Sequence, residues 1–147
     1  MKKWLFPIPV EDLHNLTFPD MSFRATFINE VFVHLPFLDK ALRELARILM
    51  PGGKLVASFP FYATSQRSQI RAKMEKKGKI NHLAEPLYHV QLLDGKETLV
   101  FEIPGWDILD RTRAAGFRTA TMQWVYSESC GMLSPDYGGN FVLLAEK

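Results

Sequence analysis

Between residues 37 and 49 the apolar side chains recur at helical spacing. Leu38, Ala41, Leu42, Leu45, Ile48 and Leu49 share one face, and Asp39, Lys40, Arg43, Glu44 and Arg47 lie opposite. The pattern predicts an amphipathic helix. Pro36 suits its start, and the run Pro51-Gly52-Gly53 forces its exit. Asp39 and Arg43 stand four apart, a spacing that gives an ion pair of about 0.3 kcal/mol on a helix. On either side lie FRATFIN at 23–29 and KLVASFP at 54–60, rich in aromatic and β-branched residues as strands are. Strand, helix and strand in that order form the crossover unit of a parallel sheet.

The rest of the chain is punctuated around this unit. Residues 1–10 carry Pro7 and Pro9, which lack the donor a central strand needs, so they make at best an edge strand. Residues 11–20 read as a polar loop anchored by Leu13, Leu16 and Phe18. From 61 to 79 the chain turns basic, with Arg67, Arg71, Lys73, Lys76, Lys77 and Lys79 facing only Glu75. A short helix over 65–76 is expected there. Turn signals at Glu85-Pro86 and Asp94-Gly95 predict a hairpin-like insertion over 80–101. GWDILDRTRAA at 105–115 reads as a second helix capped by Gly116. Residues 119–125 and 140–145 read as strands around a Ser/Gly-rich loop. Joined without a helix, these two strands are expected to pair antiparallel.

Bulk properties narrow the classes. At 147 residues the chain supports a single domain, 1–147, with a real core. A net charge of +2 gives no argument for nucleic acid or a membrane surface. The single Cys130 excludes an internal disulfide framework and a multi-cysteine zinc site, and no close basic residue activates it. No apolar run approaches the ~18 residues that span a bilayer. The start MKKWLFPIPV mimics a leader, but Pro7 and Pro9 break it and no small-residue cleavage site follows. The expectation is a soluble, cytoplasmic protein. Trp106 and Trp124 are expected in the core, and the basic run 67–79 on a solvated face.

Several patches together resemble the class I S-adenosylmethionine-dependent methyltransferases, most closely the small-molecule branch called type 11. Asp12-Leu13 followed by LTFPDMSF at 16–23 is similar to that family's D-(A/L)-x-x-L-P-F-P-D-x-S-F. NEVFVHL at 29–35 is similar to N-E-V-L-E-H-V. ALRELARILMPGGKL at 41–55 is similar to A-L-R-E-I-x-R-V-L-K-P-G-G-x-L. The resemblance runs in order over 11–147 and implies an α/β fold. It is a partial Rossmann-like methyltransferase sheet of the C-terminal strands 4-5-7-6 with flanking helices. The last strand is antiparallel, and an insertion occupies about 61–104.

Two positions depart from the pattern: Arg24 replaces the Asp of S-F-D, and Val33 replaces the Glu before the His. The chain also contains no G-x-G-x-G motif, the Gly-rich turn that lets a backbone approach a nucleotide cofactor. The family's first two strands have no counterpart, so the 23–29 strand is expected at an exposed edge. There it would pair with a second copy, a complementing chain or residues 1–10.

By resemblance the cofactor is S-adenosylmethionine, although this chain alone is expected to bind it weakly or not at all. Asp12 and Leu13 match the adenine contact, against the plainer reading of a solvated loop. Asn29 and Glu30 match the strand end facing the methionine part, against a plain strand-end cap. His34 could act as a general base or acceptor contact, or be a structural, hydrogen-bonded histidine. His82, Tyr88 and His89 fall in the insertion that covers the acceptor site in such enzymes, or are simply surface polar groups. No metal site is expected. The leading expectation is a methyltransferase portion acting on a small-molecule acceptor, without membrane or nucleic-acid partners. The competing one is a non-catalytic remnant or interaction module pairing through the 23–29 edge.

Overall fold

The computed structural model describes residues 10–90, 95–133 and 138–147. The first strand, β1 (Phe23–Asn29), leads through a single 3-10 turn (Phe32–His34) into helix α1 (Leu38–Ile48). Strand β2 (Leu49–Ser58) follows at once. The segment after it holds short strands: β3 (Gln69–Ile70), β4 (Ala72–Met74), β5 (Ile80–His82), β6 (Tyr88–Val90), β7 (Glu97–Leu99) and β8 (Glu102–Ile103). Helix α2 (Ile108–Ala114) and strands β9 (Thr119–Val125) and β10 (Asn140–Glu146) complete the order.

Four strands form the main sheet in the order β1-β2-β10-β9. β1 and β2 are parallel, with Phe27 opposite Val56 and Ile28 opposite Ala57. β10 runs antiparallel to both β2 and β9. This is the 4-5-7-6 order with a reversed last strand that the sequence led us to expect.

The core lies on one face of this sheet. Leu55, Ala57, Leu143, Ala145 and Ala120 meet Leu38, Leu42, Leu45 and Ile48 of α1, Ile108 of α2 and Phe32 of the 3-10 turn. These apolar side chains are the ones whose 3.6- and 2-residue periods put them on a common side. The opposite face carries Phe27, Val56 and Leu144, and no helix covers it among the described residues. Phe27 is 77% exposed there, whereas Ile28 is half-buried against the core.

The structure corrects four expectations. Pro51-Gly52-Gly53 is not a turn between helix and strand. It is a bulge inside β2, where pairing jumps from Phe23↔Leu49 to Ala25↔Lys54. Gly52 adopts φ +76°, which suits glycine, and donates to the Lys147 carbonyl at 2.8 Å. Residues 65–76 are not a helix. β3 pairs with β8 and β4 with β5, because Ala72 is buried while Lys73 is exposed, a period of two, and the run has no helical apolar face. Asp39 pairs with Arg111 of α2 at 2.7 Å and not with Arg43, because α2 packs alongside and a part-buried guanidinium outcompetes a solvated one. Trp124 is 56% exposed on the outermost strand, while Trp106 packs on Phe61 at 5.0 Å between ring centres.

The expected hairpin over 80–101 exists as β6 against β7. Its tip, including Asp94 of the Asp94-Gly95 turn, lies outside the described residues, as do residues 1–9 and the docking expected of them. Gly105 shows why the start of α2 needs glycine. A Cβ there would sit 2.6 Å from the Arg67 backbone, so only glycine lets the two segments touch.

Candidate functional site

In open α/β sheets ligands bind beyond the carboxyl ends of the parallel strands. Here the ends of β1 and β2 and the start of β10 enclose a cleft of about 630 Å³, within the usual range for small-molecule sites. Asn29, Glu30, Ser58, Tyr62, Ile103 and Asn140 are among its walls. The Ser58 hydroxyl donates to Asn29 Oδ1, which ties the two strand ends together and fixes the amide. Glu30 leaves β1 with φ +56°, a left-handed conformation that costs a side-chain-bearing residue about 1 kcal/mol. Its N–H donates to the Ser58 carbonyl at 2.8 Å, which holds the chain in this turn. Such local strain clusters at ligand sites.

The loop carrying Asp12 and Leu13 is held from α1. Glu44 accepts the Leu16 N–H at 2.9 Å. Arg47 donates to the carbonyls of Leu16 and Phe18, both at 2.9 Å, and to Asp20 at 2.7 Å. Hydrogen bonds from Arg47 hold the Glu44 carboxyl below its usual range, and Glu44 with Asp20 raises Arg47 in return. Sequence reasoning put Glu44 and Arg47 on a solvated face and missed this clamp. Its only sequence signal was a Glu-Arg pair three residues apart. Asp12 itself is exposed. Its Oδ1 accepts the His14 N–H at 2.9 Å and faces His14 Nδ1 at 2.8 Å, and these bonds lower its pKa. Leu13 packs against the core.

His34 is half-buried, and its Nδ1 lies 2.8 Å from the Leu99 carbonyl. A carbonyl only accepts, so Nδ1 carries the hydrogen and Nε2 holds the lone pair of the neutral ring. His89 meets His34 edge to face at 5.1 Å. Burial, reinforced by His34, holds His89 below its ordinary pKa, and Glu30 opposes the shift. Histidines 34 and 89 with Glu30 therefore form one electrostatic group. His82 and Tyr88 are exposed on the β4–β5 and β6–β7 hairpins, and no hydrogen bond or ring contact joins them to His34. Only Asn29 and Glu30 of the sequence-selected residues line the strand-end cleft; Ser58, Tyr62 and Asn140 do so unforeseen. Among the described residues no group of three or more His, Cys, Asp or Glu side chains is placed to hold a metal. No described helix is long and apolar enough to cross a membrane.

A half-open α/β sheet with an antiparallel last strand, and a cleft at its parallel strand ends, defines the class I methyltransferase fold. The comparisons with known proteins agree. Residues 2–57 match the methyltransferase domain family. Over 52 residues the chain is 35% identical to a ubiquinone/menaquinone biosynthesis C-methyltransferase of Laribacter hongkongensis, a stretch covering 35% of this chain and 21% of that protein. A solved S-adenosylmethionine-dependent methyltransferase of Mesorhizobium loti superposes with a TM-score of 0.56 at 16% identity, covering 92% of this chain and 67% of that one. The Burkholderia thailandensis 1,6-didemethyltoxoflavin-N1-methyltransferase, solved with S-adenosylhomocysteine, gives a TM-score of 0.54 at 16% identity, covering 92% of this chain and 48% of that one. The N-terminal part of the chain is thus similar to the methyltransferase domain family, the chain spans about a fifth of the curated relative it matches, and its fold is that of the S-adenosylmethionine-dependent methyltransferases.

Proposed function

We propose that this chain is the strand-end wall of a cytoplasmic S-adenosylmethionine-dependent methyltransferase for a small-molecule acceptor, and that it needs a complementing surface to hold the cofactor. The observation that carries this reading is the strand-end cleft with Asn29 and Glu30 on its wall in a chain that has no G-x-G-x-G turn. The residues present suit part of the cofactor only. Asn29 offers backbone groups at the strand end, and Asp12 offers a carboxylate on a clamped loop. No Gly-rich turn admits a nucleotide to close backbone contact.

His34, with its free Nε2, is the residue we assign to take a proton from an acceptor. His82, Tyr88 and His89 are assigned to the acceptor's cover. In methyl transfer positioning supplies much of the acceleration, so His34 assists and is not indispensable. Titration of the chain with S-adenosylhomocysteine by calorimetry is expected to give no saturable heat below millimolar concentration. Micromolar affinity would sink the claim that a complementing surface is needed.

A second reading, a non-catalytic module that pairs through β1, is favoured by one observation. β1 is the edge of the four-stranded sheet among the described residues, and its Phe27 is 77% exposed. Unpaired strand edges with apolar side chains associate. Light scattering on a sizing column should show a dimer whose population rises with concentration, and Phe27→Lys should shift it to monomer. A monomer at all concentrations for the parent chain refutes edge pairing.

A further inference from the structure

A second cleft of about 630 Å³ lies on the flank of the molecule, between the first turns of α1, the β3–β4 segment and the start of α2. It shares no lining residue with the strand-end cleft. Its walls are apolar, from Leu35, Phe37, Ile70 and Phe101, and its lining carries five cationic side chains against three acidic ones.

The acids are all engaged from within. Glu102 accepts two hydrogen bonds from Arg111 at 2.8 and 3.3 Å, and Asp39 accepts one from the same guanidinium at 2.7 Å. Asp107 accepts from the Ser68 N–H at 2.9 Å and hydroxyl at 2.7 Å. Arg111 is thus consumed as well. Lys40, Arg43, Arg67 and Lys73 are exposed and make no ion pair among the described residues. An apolar bowl whose lining carries five cations against three acids matches only one ligand chemistry. A neutral apolar body forgoes the ring, a cation is repelled by it, and a bare inorganic anion forgoes the walls.

We propose that this flank cleft binds a small amphipathic anion, a carboxylate or phosphate carried on an aromatic ring or short chain. The anionic head sits among Lys40, Arg43, Arg67 and Lys73, and the apolar body lies on Phe37, Ile70 and Phe101. Part of the basic run that the sequence left without a role thereby gains one. The site is independent of the cofactor reading, because the two clefts are separate.

The test uses three probes with one ring system: 1-naphthoate, 1-naphthalenemethanol and 1-naphthylmethylammonium. Each is titrated into the isotope-labelled chain and followed by amide chemical shifts. The naphthoate is expected to bind at least about tenfold more tightly than the alcohol, with shifts centred on residues 37–43 and 67–73, and the ammonium is expected not to bind. Joint replacement Arg43→Glu and Lys73→Glu should weaken naphthoate at least about tenfold while the circular dichroism melt keeps its midpoint. If that variant fails to fold, Arg43→Gln with Lys73→Gln should show the same direction. Asn29→Ala in the other cleft should leave naphthoate affinity unchanged. Equal affinity for the three probes, no naphthoate binding, or a loss caused by Asn29→Ala alone would each overturn the proposal.

Discussion

Arg111→Ala is expected to destabilise the protein by about 3–5 kcal/mol, a large share of the 5–15 kcal/mol typical of a domain. Arg111 joins three elements. From α2 it donates to Glu102 of β8 and to Asp39 of α1. Glu102 is only 7% exposed. Burial pushes its carboxyl pKa up, and the Arg111 hydrogen bonds pull against that shift. Truncating the arginine leaves a carboxylate in an apolar site with no counter-charge, and the cost is mainly that orphaned group. Urea unfolding followed by tryptophan fluorescence measures it. The double replacement Glu102→Leu with Arg111→Met should recover most of the loss, because well-packed apolar residues replace a buried ion pair at little cost. A loss below about 1 kcal/mol for Arg111→Ala would place Glu102 in contact with water and contradict the buried pair.

Leu45→Ala carries the other large effect, about 2–5 kcal/mol. Leu45 is 1% exposed and sits in the core between α1 and the sheet. The sheet cannot collapse onto the lost volume, because β2 is held between β1 and β10 by its ladders. Arg43→Ala, on the exposed side of the same helix, should stay within about 0.5 kcal/mol. The comparison separates burial from helix propensity, since alanine is the better helix former at both positions. Loosening α1 should also reach the loop at residues 12–20. The Leu16 amide, which donates to Glu44 at 2.9 Å, should exchange faster in Leu45→Ala. Unchanged exchange at Leu16 with a full loss of stability would show that the loop is held independently of α1.

Local repeats made most of the sheet legible. The 3.6-residue period of 38–48 fixes which face of α1 meets the core, the aromatic and β-branched content of 23–29 marks β1 as a strand, and Gly116 with Phe117 marks the end of α2. The basic stretch 65–76 misled because charge spacing allows a helix without requiring one. Its backbone found partners in β5, across a short hairpin, and in β8, which pairs Gln69 with Ile103 far outside any local window. The same distance hid the true partner of Asp39, which is 72 positions away in Arg111. It also hid the role of Glu44 and Arg47, whose partners in residues 16–20 lie 27 or more positions upstream. Asn29 and Glu30 were legible as strand-end residues. Ser58, Tyr62 and Asn140 were not, because each becomes a wall only when β1, β2 and β10 are brought side by side.

The sequence by itself determined the resemblance to class I methyltransferases, the order of the main-sheet strands, the buried face of α1 and the lack of a Gly-rich cofactor turn, because these depend on residue types at short spacing. Tertiary structure alone decided that one sheet face around Phe27 is left uncovered among the described residues and that the bulge at Gly52 joins β2. It also decided that His34 and His89 meet edge to face, and that the acids on α1, α2 and β8 bond within the molecule while Lys40, Arg43, Arg67 and Lys73 make no ion pair among the described residues. Each of these depends on which distant surfaces meet. Meeting is decided by burial of the whole core, and no local pattern encodes it.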